Sequence, residues 1–169
     1  LGIKPKYLNS PKNILNRTMK NILKTLLYEW KERKLPELID RAIDLEKYIS
    51  SPRKIIVISG FRRVGKTYAI FQFIKKLLGK RDKEEVVYLN FEDERIPPKI
   101  GLLTELIPTI KETFAKKTYI LFLDELQAIE DWSKWLRRIY DTEDFFIFVT
   151  GSSSKLSTKE IPTELRGRF

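Results

Sequence analysis

The chain has 169 residues and is 42% hydrophobic, which suits one domain with its own core and excludes a wholly disordered chain. It holds no cysteine and no histidine, so a disulfide framework, a thiolate metal site and a histidine-built zinc centre are excluded. Most of the net charge of +10 lies at the N-terminus, where residues 1–34 carry nine basic side chains against Glu29 and Glu32; such a segment suits nucleic acid, an acidic membrane surface or simply a solvated helix face.

Residues 1–12, with Gly2, Pro5 and Pro11, read as an irregular lead-in. From Asn13 to about Lys34, apolar residues recur at Ile14, Leu15, Ile22, Leu23, Leu26, Leu27 and Trp30, the spacing of an amphipathic helix. Pro36 interrupts it, and residues 36–49 read as a second short helix closed by Ser50-Ser51-Pro52. Residues 1–50 are therefore expected to form a basic helical segment, and residues 51–169 the main domain.

The pattern then changes. Lys54–Ser59, with its run Ile55-Ile56-Val57-Ile58, reads as a strand buried on both faces. A loop over Gly60–Lys66 leads into a helix over Thr67–Leu78, with Gly79 as its C-cap. Val86–Phe91 is a second strand. Gly101–Phe114 is a helix disturbed near Pro108, and Tyr119–Leu123 is a third strand. Asp131 is placed to cap a helix running to about Tyr140. Phe145–Val149 is a fourth strand, followed by the loop Gly151-Ser152-Ser153-Ser154. Apolar strands alternating with helices predict an α/β fold with a parallel sheet covered on both faces. No apolar run is long enough to span a bilayer and no secretory signal is visible, so the expected location is the cytoplasm.

The stretch Gly60-Phe61-Arg62-Arg63-Val64-Gly65-Lys66-Thr67 fits G-x-x-x-x-G-K-[ST], between a buried strand and an amphipathic helix. Backbone N–H groups of such a loop cradle phosphates, and the helix that follows adds its positive dipole end. Lys66 places a compact charge on the phosphates, and the Thr67 hydroxyl can ligate Mg²⁺. Phe61, Arg62, Arg63, Val64 and Tyr68 complete the nucleotide-binding stretch. The third strand ends in Asp124-Glu125. Asp124 would hold the Mg²⁺ shell and Glu125 would polarise the attacking water, or the pair merely caps the next helix. At the end of the fourth strand, Thr150 or Ser152 could hydrogen-bond the γ-phosphate or the water. Asn90 could hold Glu125, or make only a local turn bond. Arg168, or failing it Arg166, could neutralise transition-state charge from the same chain or a neighbour.

These residues carry a family resemblance. GFRRVGKT, LNFEDER, YILFLDELQ and the ending FVTGSSSKLSTKEIPTELRGRF resemble the archaeal-type AAA+ ATPases of archaea and bacteria, from about Glu29 to Phe169. The resemblance implies a P-loop NTPase three-layer α/β/α sandwich with strand order 5-1-4-3-2. Of this, order 1-4-3-2 would be present, with the fifth strand and the helical lid falling outside the chain. It also implies that residues around Leu38 and Ile39 help to line the adenine pocket. The implied ligands are ATP and Mg²⁺.

The expected function is Mg²⁺-dependent ATP hydrolysis that moves an attached domain or partner, with the arginine supplied in cis or, in a homo-oligomer, in trans. The alternative is a nucleotide-dependent switch that binds DNA or a protein through the basic segment and hardly turns over. A small-molecule kinase would use the same loop, but Asp124-Glu125 and the terminal arginines argue against it. No guanine-reading N/T-K-x-D motif is present, which favours ATP over GTP.

Overall fold

The computed structural model describes residues 11–38, 45, 49 and 55–152. The elements run α1 (Pro11–Glu32), β1 (Ile55–Gly60), α2 (Lys66–Leu78), β2 (Val86–Asn90), α3 (Ile100–Phe114) and β3 (Ile120–Asp124). A 3₁₀ turn (Leu126–Ala128), α4 (Trp132–Thr142) and β4 (Phe146–Ser152) follow. The four strands form one sheet in the order β1-β4-β3-β2, and all three pairings are parallel. The expected order 1-4-3-2 is therefore present, in a P-loop NTPase α/β fold.

Side chains alternate across each strand, and that period of two builds two separate cores. Val86, Tyr88, Ile120, Phe122 and Phe148 point to the face covered by α2, through Ile70, Phe73, Ile74 and Leu77. There Phe122 stacks on Phe148 with ring centroids 4.8 Å apart, and Phe73 meets both rings edge-on. Val87, Leu89, Leu121, Leu123, Ile147 and Val149 point to the other face, covered by α1, α3 and α4. Each fully buried Leu, Ile or Phe contributes about 1.5–3 kcal/mol, and a one-residue slip of β2, β3 or β4 would send its side chains into the opposite core.

Several elements depart from expectation, each for a physical reason. In α1 the buried stripe is Met19, Leu23, Leu26, Leu27 and Trp30, while Ile14 and Leu15 are exposed. The apolar face becomes useful only where α3 lies against it: a Cβ on Gly101 would stand 3.1 Å from Met19 Sδ. β1 was expected to be buried on both faces, yet only Ile55 is buried. It has β4 on one side and ends the described sheet. The N-terminal helix lies at the opposite edge of the sheet from β1. Its stripe joins the α3 side, its last turn joins the α2 side through Trp30, and Trp30 Nε1 donates to Val86 O at 2.6 Å on the edge strand β2.

β4 runs on through Thr150, Gly151 and Ser152, residues expected to lie at its end or in a loop. Their Cα atoms pair with Ile58, Ser59 and Gly60, so the ladder continues to the end of β1. Asp131 occupies the N-cap position of α4 but makes no side-chain cap bond; its carboxylate pairs with Lys134 at 2.9 Å. α3 continues through Pro108. The expected helix over 36–49 falls mostly outside the described residues. Those at 33–38 are not helical.

Candidate nucleotide site

The site lies where β1, β3 and β4 end together, as expected for ligands of an open α/β sheet. From β1 the chain enters the loop at Phe61, whose side chain is 80% exposed, and leaves it at Lys66, the first residue of α2. Gly65 sits at φ 87°, a left-handed conformation that favours glycine, and Arg63 shares that region at φ 65°. Gly60 is limited by space instead: a Cβ there would meet Val64 Cγ2 at 3.2 Å and Lys66 Cδ at 3.8 Å. The loop curls around the Lys66 side chain. Its Nζ donates to the carbonyls of Gly60 and Phe61, each at 3.3 Å, and stands 3.7 Å from Glu125 Oε1.

Asp124 is the centre of the site. It is 1% exposed, yet its carboxylate is well satisfied. Thr67 Oγ1 donates to Oδ2 at 2.9 Å, Tyr88 OH donates to the same oxygen at 2.8 Å, and Thr150 Oγ1 donates to Oδ1. The Thr150 hydroxyl also accepts the Glu125 N–H at 3.1 Å. Glu125 follows in the left-handed region, φ 54°, a sparsely populated conformation for a residue with a side chain. Its Oε2 accepts from Gln127 Nε2. Burial, then the neighbouring Asp124 charge and its hydrogen bond, push the Tyr88 hydroxyl well above the usual tyrosine range, so it keeps the proton it donates to Asp124.

The expected site residues are not all brought together. Lys66, Thr67, Asp124, Glu125 and Thr150 converge. Ser152 ends β4, opposite Gly60 in register. Asn90 lies opposite Asp124 in the β2–β3 register, but its Oδ1 accepts the Glu92 N–H at 3.0 Å, a local turn bond. Glu125 is held by Gln127 rather than by Asn90. Phe61, Arg62, Arg63, Val64 and Tyr68 are exposed around the loop mouth. Leu38 packs partly buried against the α2-side core, whereas Ile39, Arg166 and Arg168 lie outside the described residues.

Two contributors escaped the sequence reading. Tyr88 looked like another apolar strand residue, although a buried tyrosine hydroxyl requires a partner and so carried a signal. Gln127, two residues after Glu125, carried none. The donor set fits a hydrated Mg²⁺, which takes few protein oxygens and completes its shell with phosphate and water. Thr67 Oγ1 and Asp124 Oδ2 are already adjacent, and among the described residues no cluster of three acidic side chains competes for the ion.

A phosphate-type loop opening a helix, with a buried carboxylate at the end of a strand bonded to that helix's threonine, defines a P-loop nucleotide-binding domain. Residues 52–169 match the family AAA_14, described as an AAA domain, and the chain belongs to it. It is 46% identical over 137 residues to the uncharacterized protein MJ1544 of Methanocaldococcus jannaschii, covering 80% of this chain and 29% of that protein. A second protein of that organism, MJ1637, also uncharacterized, is 30% identical over 155 residues, covering 88% of this chain and 32% of its own. An uncharacterized protein of Haemophilus influenzae is 33% identical over 122 residues, covering 68% and 29%. The chain thus spans about a third or less of each relative's length. Membership of the AAA family supports nucleotide binding and ATPase chemistry. Among the described residues no helix is long and apolar enough to cross a membrane.

Proposed function

We propose that this domain binds ATP with Mg²⁺ and hydrolyses it to ADP and phosphate, and that the cycle moves an attached domain or partner. The observation that carries the reading is the 2.9 Å bond from Thr67 Oγ1 to Asp124 Oδ2, which ties the phosphate loop's helix to the carboxylate at the end of β3.

The loop N–H groups and the α2 N-terminus receive the β- and γ-phosphates. Lys66 exchanges its two long carbonyl bonds for phosphate oxygens. Thr67 and Asp124 would hold Mg²⁺, which when bound would supply positive charge against the charge that develops on the phosphate oxygens. Glu125 orients a water and takes its proton as the water oxygen bonds to the γ-phosphorus and the bond to the β,γ-bridging oxygen breaks. Thr150, through Asp124 and the Glu125 backbone, holds both carboxylates in register. Ser152, paired with Gly60 where β1 enters the loop, would sense the γ-phosphate. Arg168 or Arg166, from this chain or from a second copy, neutralises the transition state. Leu38 and Ile39 flank the adenine, and the domain works in the cytoplasm.

A second reading, a switch with little turnover, draws on the resting state of Glu125, which is engaged by Gln127 and lies near Lys66. DNA contact through α1 draws less support, because Lys20 and Lys24 pair with Glu112 and Lys31 pairs with Glu84 of the same chain. Phosphate release from ATP and Mg²⁺ by the full chain tests the first reading. Turnover lost in both Lys66→Ala and Glu125→Gln supports ATPase chemistry. Tight binding without turnover in the parent chain supports the switch, and absence of nucleotide binding overturns both.

A further inference from the structure

Asp124 accepts from three hydroxyls, and two of them, Thr67 and Thr150, already have places in the chemistry. The third, on Tyr88, lies in β2 at the far end of the sheet from the phosphate loop's strand. Its ring is held between Phe71 of α2, centroids 4.8 Å apart, and Trp30 of α1, at 5.5 Å. The Arg33 guanidinium, just past the end of α1, lies 5.0 Å from the Phe71 ring centroid and 6.0 Å from that of Tyr88. Trp30 is itself fixed by its bond to Val86 O, and Lys83 lies 5.0 Å from its ring and donates to the Arg33 carbonyl. The end of α1 therefore reaches the buried carboxylate through a single side chain.

We propose that Tyr88 is a positioning residue for Asp124, and that the end of α1, through Trp30 and Arg33, sets the site's affinity for Mg²⁺ by holding Tyr88 in place. This rests on the reading of Asp124 as the carboxylate that holds Mg²⁺. A carboxylate turns about its Cβ–Cγ bond, and donors on both oxygens stop it. With Tyr88 and Thr67 both on Oδ2, the Thr67 proton is committed to Asp124 and the lone pairs of that hydroxyl stay available for a metal ion. A cavity of about 510 Å³ lined by Trp30, Arg33, Tyr88 and Asn90 lies beside the ring stack. If the end of α1 lifts, the Tyr88 ring has room to leave Asp124. Whatever pulls on α1 would then be felt at the metal.

The test is a titration of the full chain with an ATP analogue carrying an N-methylanthraniloyl fluorophore, first in EDTA and then with graded Mg²⁺. The parent, Tyr88→Phe, Arg33→Gln and the double variant are compared, with thermal unfolding recorded for each. Tyr88→Phe keeps the ring and removes only the donor; Arg33 is exposed, so Arg33→Gln leaves the core intact. All four are expected to bind alike in EDTA. The Mg²⁺ concentration for half-saturation should rise about tenfold in Tyr88→Phe, the low end for loss of an outer-shell partner. Arg33→Gln should raise it by a smaller factor, and should add nothing once Tyr88 is Phe. An unchanged or lower Mg²⁺ requirement in Tyr88→Phe overturns the proposal, as does equal weakening in EDTA and Mg²⁺. Arg33→Gln having no effect, or the same effect in both backgrounds, overturns the role of α1. A parent chain that binds no nucleotide, or ignores Mg²⁺, sinks the functional reading itself.

Discussion

Thr150 and Asp124 each follow the last β3–β4 ladder pair, Leu123 and Val149, and the buried Thr150 bridges the Asp124 carboxylate, to which its hydroxyl donates, and the Glu125 N–H, from which it accepts. One side chain thus sets the direction of two successive acidic residues, the second of them in a left-handed conformation. Thr150→Val keeps the shape but removes the donor to Asp124 Oδ1 and the acceptor of the Glu125 N–H, while Oδ2 keeps Thr67 and Tyr88. An unsatisfied buried group costs about 1–3 kcal/mol, so stability should fall by roughly 2–4 kcal/mol in urea unfolding. Turnover should fall further than nucleotide affinity, because the backbone at Glu125 is released. Thr150→Ser should restore most of both.

Lys66 and Glu125 should separate binding from chemistry. In the ligand-free state Lys66 makes two 3.3 Å bonds to loop carbonyls and stands 3.7 Å from Glu125 Oε1, all long contacts, so Lys66→Ala should change the unfolding midpoint little. Its charge-assisted bonds to phosphate are worth about 1.5–3 kcal/mol, so ATP affinity should drop roughly 10- to 100-fold. Glu125→Gln keeps an acceptor for Gln127 and should keep affinity. Loss of the base should lower the rate of phosphate release by about 10²–10⁴-fold. Equal losses of affinity in the two variants would contradict this division of labour.

What the sequence made legible was local. The phosphate loop is eight consecutive residues whose pattern implies its own strand and helix, and the paired carboxylates sit at the end of an unmistakably apolar strand. Features set by partners distant in sequence were harder. Tyr88 and Asp124 are 36 residues apart, and the alternation of β2 marks Tyr88 as core without saying which polar atom it meets. The stripe of α1 starts at Met19 rather than Ile14 because α3 decides where burial begins. β4 outran its apolar run because β1 continues beside it to Gly60, and backbone pairing there does not depend on side-chain polarity. Asn90, the polar residue at a strand end, made the nearest turn bond available.

The two loop glycines should fail for different reasons. At Gly65 the backbone itself is left-handed, so Gly65→Ala should cost about 1–2 kcal/mol before any ligand is added. At Gly60 the obstacle is a methyl group of Val64 at 3.2 Å, on an exposed side chain that can give way. Gly60→Ala should therefore unfold near the parent's midpoint and show its defect only when nucleotide is titrated. Calorimetry of both variants with and without ATP would expose a reversal of this order.

Four ion pairs built on three carboxylates, Glu29, Glu84 and Glu112, fasten α1 to the rest of the described residues, and acid should loosen all four. Bonds from Lys20 and Lys24 hold the Glu112 carboxyl at about 2, against an ordinary 4.5. The Arg95 guanidinium lowers Glu29, and Lys31 lowers Glu84. A carboxylate with a depressed folded-state pKa contributes stability above its unfolded value and loses it as pH falls through the folded one. The contribution should therefore be complete above pH 4.5 and fade toward pH 2. These groups are exposed, so the effect should be modest and should shrink in 1 M salt, where the Debye length is about 3 Å. Urea midpoints of the parent and Glu112→Gln, followed across that range, should start apart and converge as Glu112 takes up its proton. Curves that stay parallel would show that the Lys20 and Lys24 contacts do not hold the helix in solution.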